Sequence, residues 1–235
     1  MSIAIVGAAV TGNGATIAKA SVTAGSLLTL QTAYFRSIST LAAETVPTDS
    51  QGTWSTGAAG QPGLDSSHDA GASIFYQANV AAGTHTVTPQ ANPSKQLCLT
   101  EWSGATSTPL DGTANAHTDS FSGASQVTGT TATLAQSDEL VLIVNCVAAQ
   151  TGITDIAYTD PVSGFTTLQK TVNDLTSVAL FAAYKQAGAT TAQSATFNWV
   201  DSEPNQFCAG AIATFKATAA AGGDVDEQMT SDLYF

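Results

Sequence analysis

Positive charge is scarce in this 235-residue chain: Lys and Arg total 6 against 18 Asp and Glu, for a formal net charge of −12. Phosphate backbones are gripped by clustered Lys and Arg, so a nucleic-acid partner is excluded as an expectation, and adsorption to an anionic membrane surface is disfavoured for the same reason. Cysteine is equally sparse. Cys98, Cys146 and Cys208 are an odd number in a long chain, each inside an apolar run (QLCLTEW, LIVNCVA, QFCAGAIATF), which points to buried free thiols and away from a disulfide framework. No run approaches the ~18 apolar residues of a membrane span. The opening MSIAIVGAAV lacks the charged start and longer apolar stretch of a signal peptide, so synthesis in the cytoplasm is expected. Histidine occurs only at 68, 85 and 117.

What is abundant is Ala, Thr, Ser and Gly, with a hydrophobic content of 43%, enough for a sizeable core. SLLTLQTAYF and ELVLIVNCV are β-rich runs, too short for confident helices, and THTVT and QSATFNW alternate polar with apolar residues as half-buried strands do. TGNG, PTDSQG, GQPG and DPVSG supply turn chemistry between them. No amphipathic helix of three turns is found. The expected class is all-β.

The strand blocks recur in one order. Leu27 and Leu140 open equivalent runs (140 − 27 = 113), Asp49 and Asp160 occupy equivalent TD turns (160 − 49 = 111), Gly83 matches Gly188 (188 − 83 = 105) and Cys98 matches Cys208 (208 − 98 = 110). Residues 3–104 and 118–216 are therefore read as pseudo-repeated halves, with 105–119 as the joining stretch. Interleaving of the halves into a single jelly-roll-like β-sandwich over 1–216 is favoured over two tandem domains, because half a sandwich cannot bury both faces of its sheets. Residues 217–235 form a separate C-terminal arm.

Between residues 26 and 216 the chain resembles a widespread group of uncharacterised jelly-roll domains found in bacteriophage structural proteins and bacterial surface proteins. The resemblance is carried by Trp54, Tyr76, Asn79, Val80, Gly83, Val87, the Glu101-Trp102-Ser103-Gly104 run and Pro109-Leu110-Asp111. TDSQGTW departs from the group's pattern by lacking an Asn. The resemblance implies a fold and a phage or cell-surface setting, and brings no catalytic residues.

Active-site chemistry is hard to place. Asp65, His68 and Asp69 could offer mixed oxygen and nitrogen ligands, but no further ligands converge, so a solvated polar loop is expected and no metal or other cofactor is assigned. His85 is expected to be an exposed or edge histidine, and His117 a loop residue. No G-x-S-x-G elbow occurs. Glu101 is the one carboxylate inside an apolar strand, but the AIATFK region that matches it holds no acid, so a paired-acid glycosidase site is not repeated. Trp102 and Trp199 are expected in the core, whereas Trp54 follows a turn and is the candidate glycan platform. The tail completes the picture: ATAAAGG is a flexible hinge, DVDEQMTSD is acidic, and Leu233, Tyr234 and Phe235 are a closing apolar group fit to anchor on a partner. The expected function is a non-enzymatic virion structural protein of a tailed phage, a capsid decoration (cement) or head/tail fibre subunit on the virion surface. Its partners would be other virion proteins and copies of itself. The alternative is a carbohydrate-binding or adhesin module.

Overall fold

A computed structural model describes residues 2–37, 44–59, 63–64, 68–92, 94–121, 125–149, 157–159, 162–171, 178–200 and 206–219. The described chain is all-β. The first half contains β1 (Ala4–Ile5), β2 (Val10–Gly12), β3 (Ile17–Val22), β4 (Leu27–Ser37), β5 (Thr48–Asp49), β6 (Gly52–Thr53), β7 (Ser55–Ala59), β8 (Gly63–Leu64), β9 (His68–Gln77), β10 (Gly83–Thr88) and β11 (Ser94–Ser103). The second contains β12 (Ala105–Phe121), β13 (Ser125–Thr130), β14 (Leu140–Ala149), β15 (Ala157–Tyr158), β16 (Thr166–Thr171), β17 (Val178–Gln186), β18 (Ser194–Val200) and β19 (Gln206–Ala217).

The two halves have the same topology. The first pairs β1-β11-β4-β9-β7 in a large sheet and β3-β10-β5-β6 in a small one; the second pairs β12-β19-β14-β17-β16 and β13-β18-β15. In both, the chain crosses repeatedly between the two sheets in a jelly-roll-like order. Register confirms the match where Leu27 faces Trp102 and Leu140 faces Phe215, a shift of 113 at both positions (140 − 27 and 215 − 102). Tyr76 faces Thr29 and Tyr184 faces Leu142, placing the tyrosines at equivalent points (184 − 76 = 108, 142 − 29 = 113).

The layering differs from a single sandwich with interleaved halves. Every ladder among the described residues stays within one half, and each half closes its own two-sheet sandwich. The large sheets then pack face to face, giving four layers and three cores. Leu28, Leu30, Trp54, Phe75, Val87 and Leu99 fill the first interior. Val141, Ile143, Phe181, Phe197, Trp199 and Ile212 fill the second. Between the large sheets lies a seam of Leu27, Ile74, Cys98 and Trp102 against Leu142, Val144, Phe207 and Phe215. This layering explains why LVLIVNCVAA of β14 is buried at every position while SATFNWV of β18 alternates exposed and buried. A strand covered on both faces needs no polar side, and one on an outer layer does.

The stretch expected to join the halves, 105–119, is instead most of β12, a 17-residue strand laid along β19. The turn from one half to the other is at Gly104, whose φ of +83° suits glycine and where a Cβ would stand 2.8 Å from the Ser2 carbonyl oxygen. The end of β19 returns to this point, Thr218 N donating to Gly104 O at 2.8 Å. The Cys98–Cys208 match also moves. With Trp102 equivalent to Phe215, Cys98 is equivalent to Ala211; Cys98 faces the seam and Cys208 the second interior.

Candidate functional site

The sequence-predicted residues do not assemble into one site. Leu233, Tyr234 and Phe235 lie outside the described residues, as does Asp65. Trp54 is corrected: at 3% exposure it is a core residue. It stands where the chain passes from β6 in the small sheet to β7 in the large one, so its ring plugs the gap between the two layers and presents no face to a glycan. Trp102 and Trp199 are buried, and Trp102 Nε1 donates to Thr29 Oγ1 at 2.8 Å. His68 is placed on β9 opposite Ser37, and His117 on β12 opposite Ala209. Asp69 is engaged by a bidentate pair with Arg36, Nε to Oδ1 and Nη2 to Oδ2 both at 2.7 Å, which occupies both carboxylate oxygens. Among the described residues no group of three metal-ligating side chains occurs.

His85 is not at a surface. Its side chain is fully buried, with Nδ1 2.6 Å from Asp49 Oδ2 and Nε2 3.0 Å from Ala81 O. Each ring nitrogen thus faces an oxygen, a carboxylate on one side and a backbone carbonyl on the other. The pair ties the β5–β6 hairpin to β10.

Glu101 is buried and accepts from Thr23 N at 2.8 Å and Ser26 Oγ at 3.0 Å, bracing the turn that enters β4. Its equivalent by register is Thr214, and the equivalent of Ser26 is Glu139 (101 + 113 and 26 + 113). The repeat keeps a carboxylate between these strands but moves it from one strand to the other. Glu139 Oε1 accepts from Gln136 N at 3.0 Å, and Asp111 Oδ2 accepts from the adjacent Ala135 N at 2.9 Å. Burial raises the Glu139 carboxyl above its ordinary value; the Gln136 amide opposes this, and the charge on Asp111 adds to it.

Sequence reasoning missed a polar patch at one end of the first interior. Thr32, Tyr34 and Arg36 of β4 share a face with Ser73, Gly71 and Asp69 of β9, across which they pair, and Lys95 of β11 stands opposite Tyr34. Tyr34 lies across Gly71, where any Cβ would collide with its ring. Glu44 closes the patch, its Oε2 accepting from Thr32 Oγ1 at 2.5 Å. Burial pushes the Glu44 carboxyl up to about 7, against the Thr32 and Ser73 hydroxyls and the Arg36 and Lys95 charges. Gly71 in AGASIF is the one sequence cue to this patch, since only a missing side chain lets a tyrosine lie over a strand.

A second missed feature is a groove of about 350 Å³ at one end of the seam. Thr53, Ser55, Tyr76 and Ala78 line it from the first half, and Ser107–Leu110 and Lys216 from the second. Surface side chains of both halves, an aromatic ring and an ammonium meet there in a concavity. Comparison of the chain with family models, with curated proteins and with solved structures finds no match.

Proposed function

We propose that the protein is a non-enzymatic structural subunit of a tailed-phage virion, a capsid decoration or fibre component that attaches by surface burial and a C-terminal arm. The observation that supports this reading most is the character of the outer sheets. Thr84, Thr86 and Thr88 of β10 point outward on one side of the molecule, and Ser194, Thr196, Asn198 and Val200 of β18 on the other. Val200 is 68% exposed, and Val127, paired beside Thr196, is 48% exposed. These outward residues are uncharged, hydroxyl- and amide-bearing with two exposed valines, on a body braced by three cores. Surfaces of that kind suit repeated contacts between copies, where area, packing and symmetry supply the affinity. The jelly-roll-like order of both halves agrees with the resemblance to phage structural domains.

The arm would add a tethered contact: Leu233, Tyr234 and Phe235 dock, and the Gly222-Gly223 hinge raises their effective concentration at the partner. Co-sedimentation with particles lacking the protein tests the reading. Wild-type chain is expected to bind, and chains ending at 216 or carrying Tyr234→Ala with Phe235→Ala to bind at least ~10-fold more weakly. Failure of the wild-type chain to associate with any such particle overturns the proposal.

A further inference from the structure

The two halves meet in an arrangement close to two-fold, so each end of the seam has a counterpart at the other. At one end Tyr184 of the second half packs edge-on against Trp102 of the first, ring centres 5.0 Å apart at 65°. At the other end Tyr76 of the first half packs against Phe215 of the second, 5.5 Å at 69°. Tyr76 is equivalent to Tyr184 and Phe215 to Trp102. Each tyrosine is half-buried, and beside it runs the neighbouring edge strand, Ile5 opposite Trp102 and Leu110 opposite Phe215.

The ends differ one step further out. Beside Tyr184, the Gln186 side chain donates to the Ile3 carbonyl, and buried Ile3 seals the corner. The residue equivalent to Gln186 is Ala78 (186 − 108), which is too short to reach across. The corner beside Tyr76 therefore stays open, and it is the groove described above.

We infer that this groove is a carbohydrate subsite that takes one or two pyranose units of a glycan. Its volume lies at the lower end of the ~300–1,000 Å³ of small-molecule sites, so the ligand is small or is one end of a longer chain. Tyr76 offers a partly exposed aromatic ring whose electron-rich face attracts the weakly positive C–H face of a pyranose. Thr53, Ser55, Ser107 and Thr108 set hydroxyls around it, which can both donate to and accept from sugar hydroxyls. Lys216, one of only 6 cationic Lys and Arg side chains in the chain, contributes three donors to ring, hydroxyl or carboxylate oxygens. Leu110 and Pro109 supply the apolar wall. The sealed corner beside Tyr184 shows that the same scaffold can close this space with one glutamine.

Saturation-transfer NMR on the full chain with maltotriose, cellotriose, chitotriose and trigalacturonate tests the assignment. Transfer to at least one of the four is expected. Ala78→Gln, which imitates the sealed corner at a half-exposed position, is expected to weaken that sugar at least 10-fold at an unchanged melting temperature. Lys216→Gln on the rim, the second variant, is expected to weaken it at least threefold. Transfer to none of the four, or binding that both variants leave intact, overturns the assignment. Particle association by the Ala78→Gln chain is read separately, because the proposed attachment uses the outer sheets and the arm.

Discussion

The interiors of the two halves answer the same packing problem with different chemistry. At equivalent depth on the central strand the first half places Thr32, Tyr34 and Arg36 where the second places Asn145, Val147 and Ala149; on the neighbouring strand Gly71 and Ser73 stand where the second has Ala179 and Phe181. The second interior is knitted by aromatic edges, with Phe181 5.5 Å from Phe197 and 5.2 Å from Tyr158. Its Asn145 is small and satisfied: Nδ2 donates to Ala209 O, and Oδ1 accepts from Tyr158 Oη. The first interior holds an ion pair, an acid and a lysine in the same space, and leaves Tyr34 Oη without a hydrogen-bond partner among the described residues. A jelly roll of this topology thus tolerates a charged end, and the difference teaches that the β-ladders and the seam, common to both halves, specify the fold more than either interior does.

Dividing the halves has the largest expected effect. Residues 1–104 and 105–219 expressed alone are expected to aggregate, because each exposes the apolar seam face of its large sheet. Co-expression is expected to recover a soluble 1:1 complex, read by size-exclusion chromatography with light scattering; two soluble, cooperatively melting fragments would show that the seam is dispensable.

Next in size is the ion pair. Asp69→Ala, which removes the carboxylate from the buried Arg36 guanidinium, is expected to destabilise by about 3–5 kcal/mol in urea unfolding. The double change Arg36→Ala with Asp69→Ala brings the first half closer to Ala149 of the second and is expected to recover a large part of that loss. A double variant as unstable as the single one would mean that packing of the long side chains, not charge, is what matters there.

Glu44 adds a pH dependence at the polar end of the first interior. Its folded-state value, about 7, is above that of the unfolded chain, so the folded state holds the proton more tightly. Stability from this group is full below about pH 4.5 and declines as pH rises toward 7, by up to about 3 kcal/mol. Glu44→Gln is expected to flatten this decline between pH 5 and 7.5 in thermal melts; an unaltered pH profile would remove Glu44 as its source. The smallest effect concerns the thiols. Burial pushes Cys98 up to about 12 and Cys146 higher still, so alkylation of the folded chain by iodoacetamide at pH 8 is expected to be negligible over hours and complete in urea, as read by mass spectrometry.

The strands were legible where side-chain pattern and burial coincide, as in THTVT, SATFNW and LVLIVNCV. The last run, extended by Ala148 and Ala149, also carried the sign of the four-layer stack, since ten consecutive buried residues need cover on two faces. β12 was not legible, because ATSTPLDGTANAHTD lacks apolar alternation; its backbone ladder with β19 makes it a strand. Trp54 misled because a position after a turn marks a change of sheet here and not a surface. His85 misled because alternation says which face a residue takes, not whether a carboxylate from β5 covers it. The groove depends on the contrast between Ala78 and Gln186, 108 residues apart, whose equivalence emerges only from strand register.

The seam has a consequence for biosynthesis. The first half leaves the ribosome with its large sheet ready to form but with no cover for Leu27, Ile74, Cys98 and Trp102 until β14, β17 and β19 have emerged. At ~5–20 residues per second, the ~110 residues of the second half take roughly 6–20 s to appear. During that interval the nascent chain displays an apolar β-surface that any neighbouring nascent copy could cover instead. The tether at Gly104 biases the outcome, because the correct cover arrives on the same chain and the wrong one must diffuse in. Slowing translation after residue 104, or crowding the message with ribosomes, should therefore favour exchange of halves between chains over closure within one.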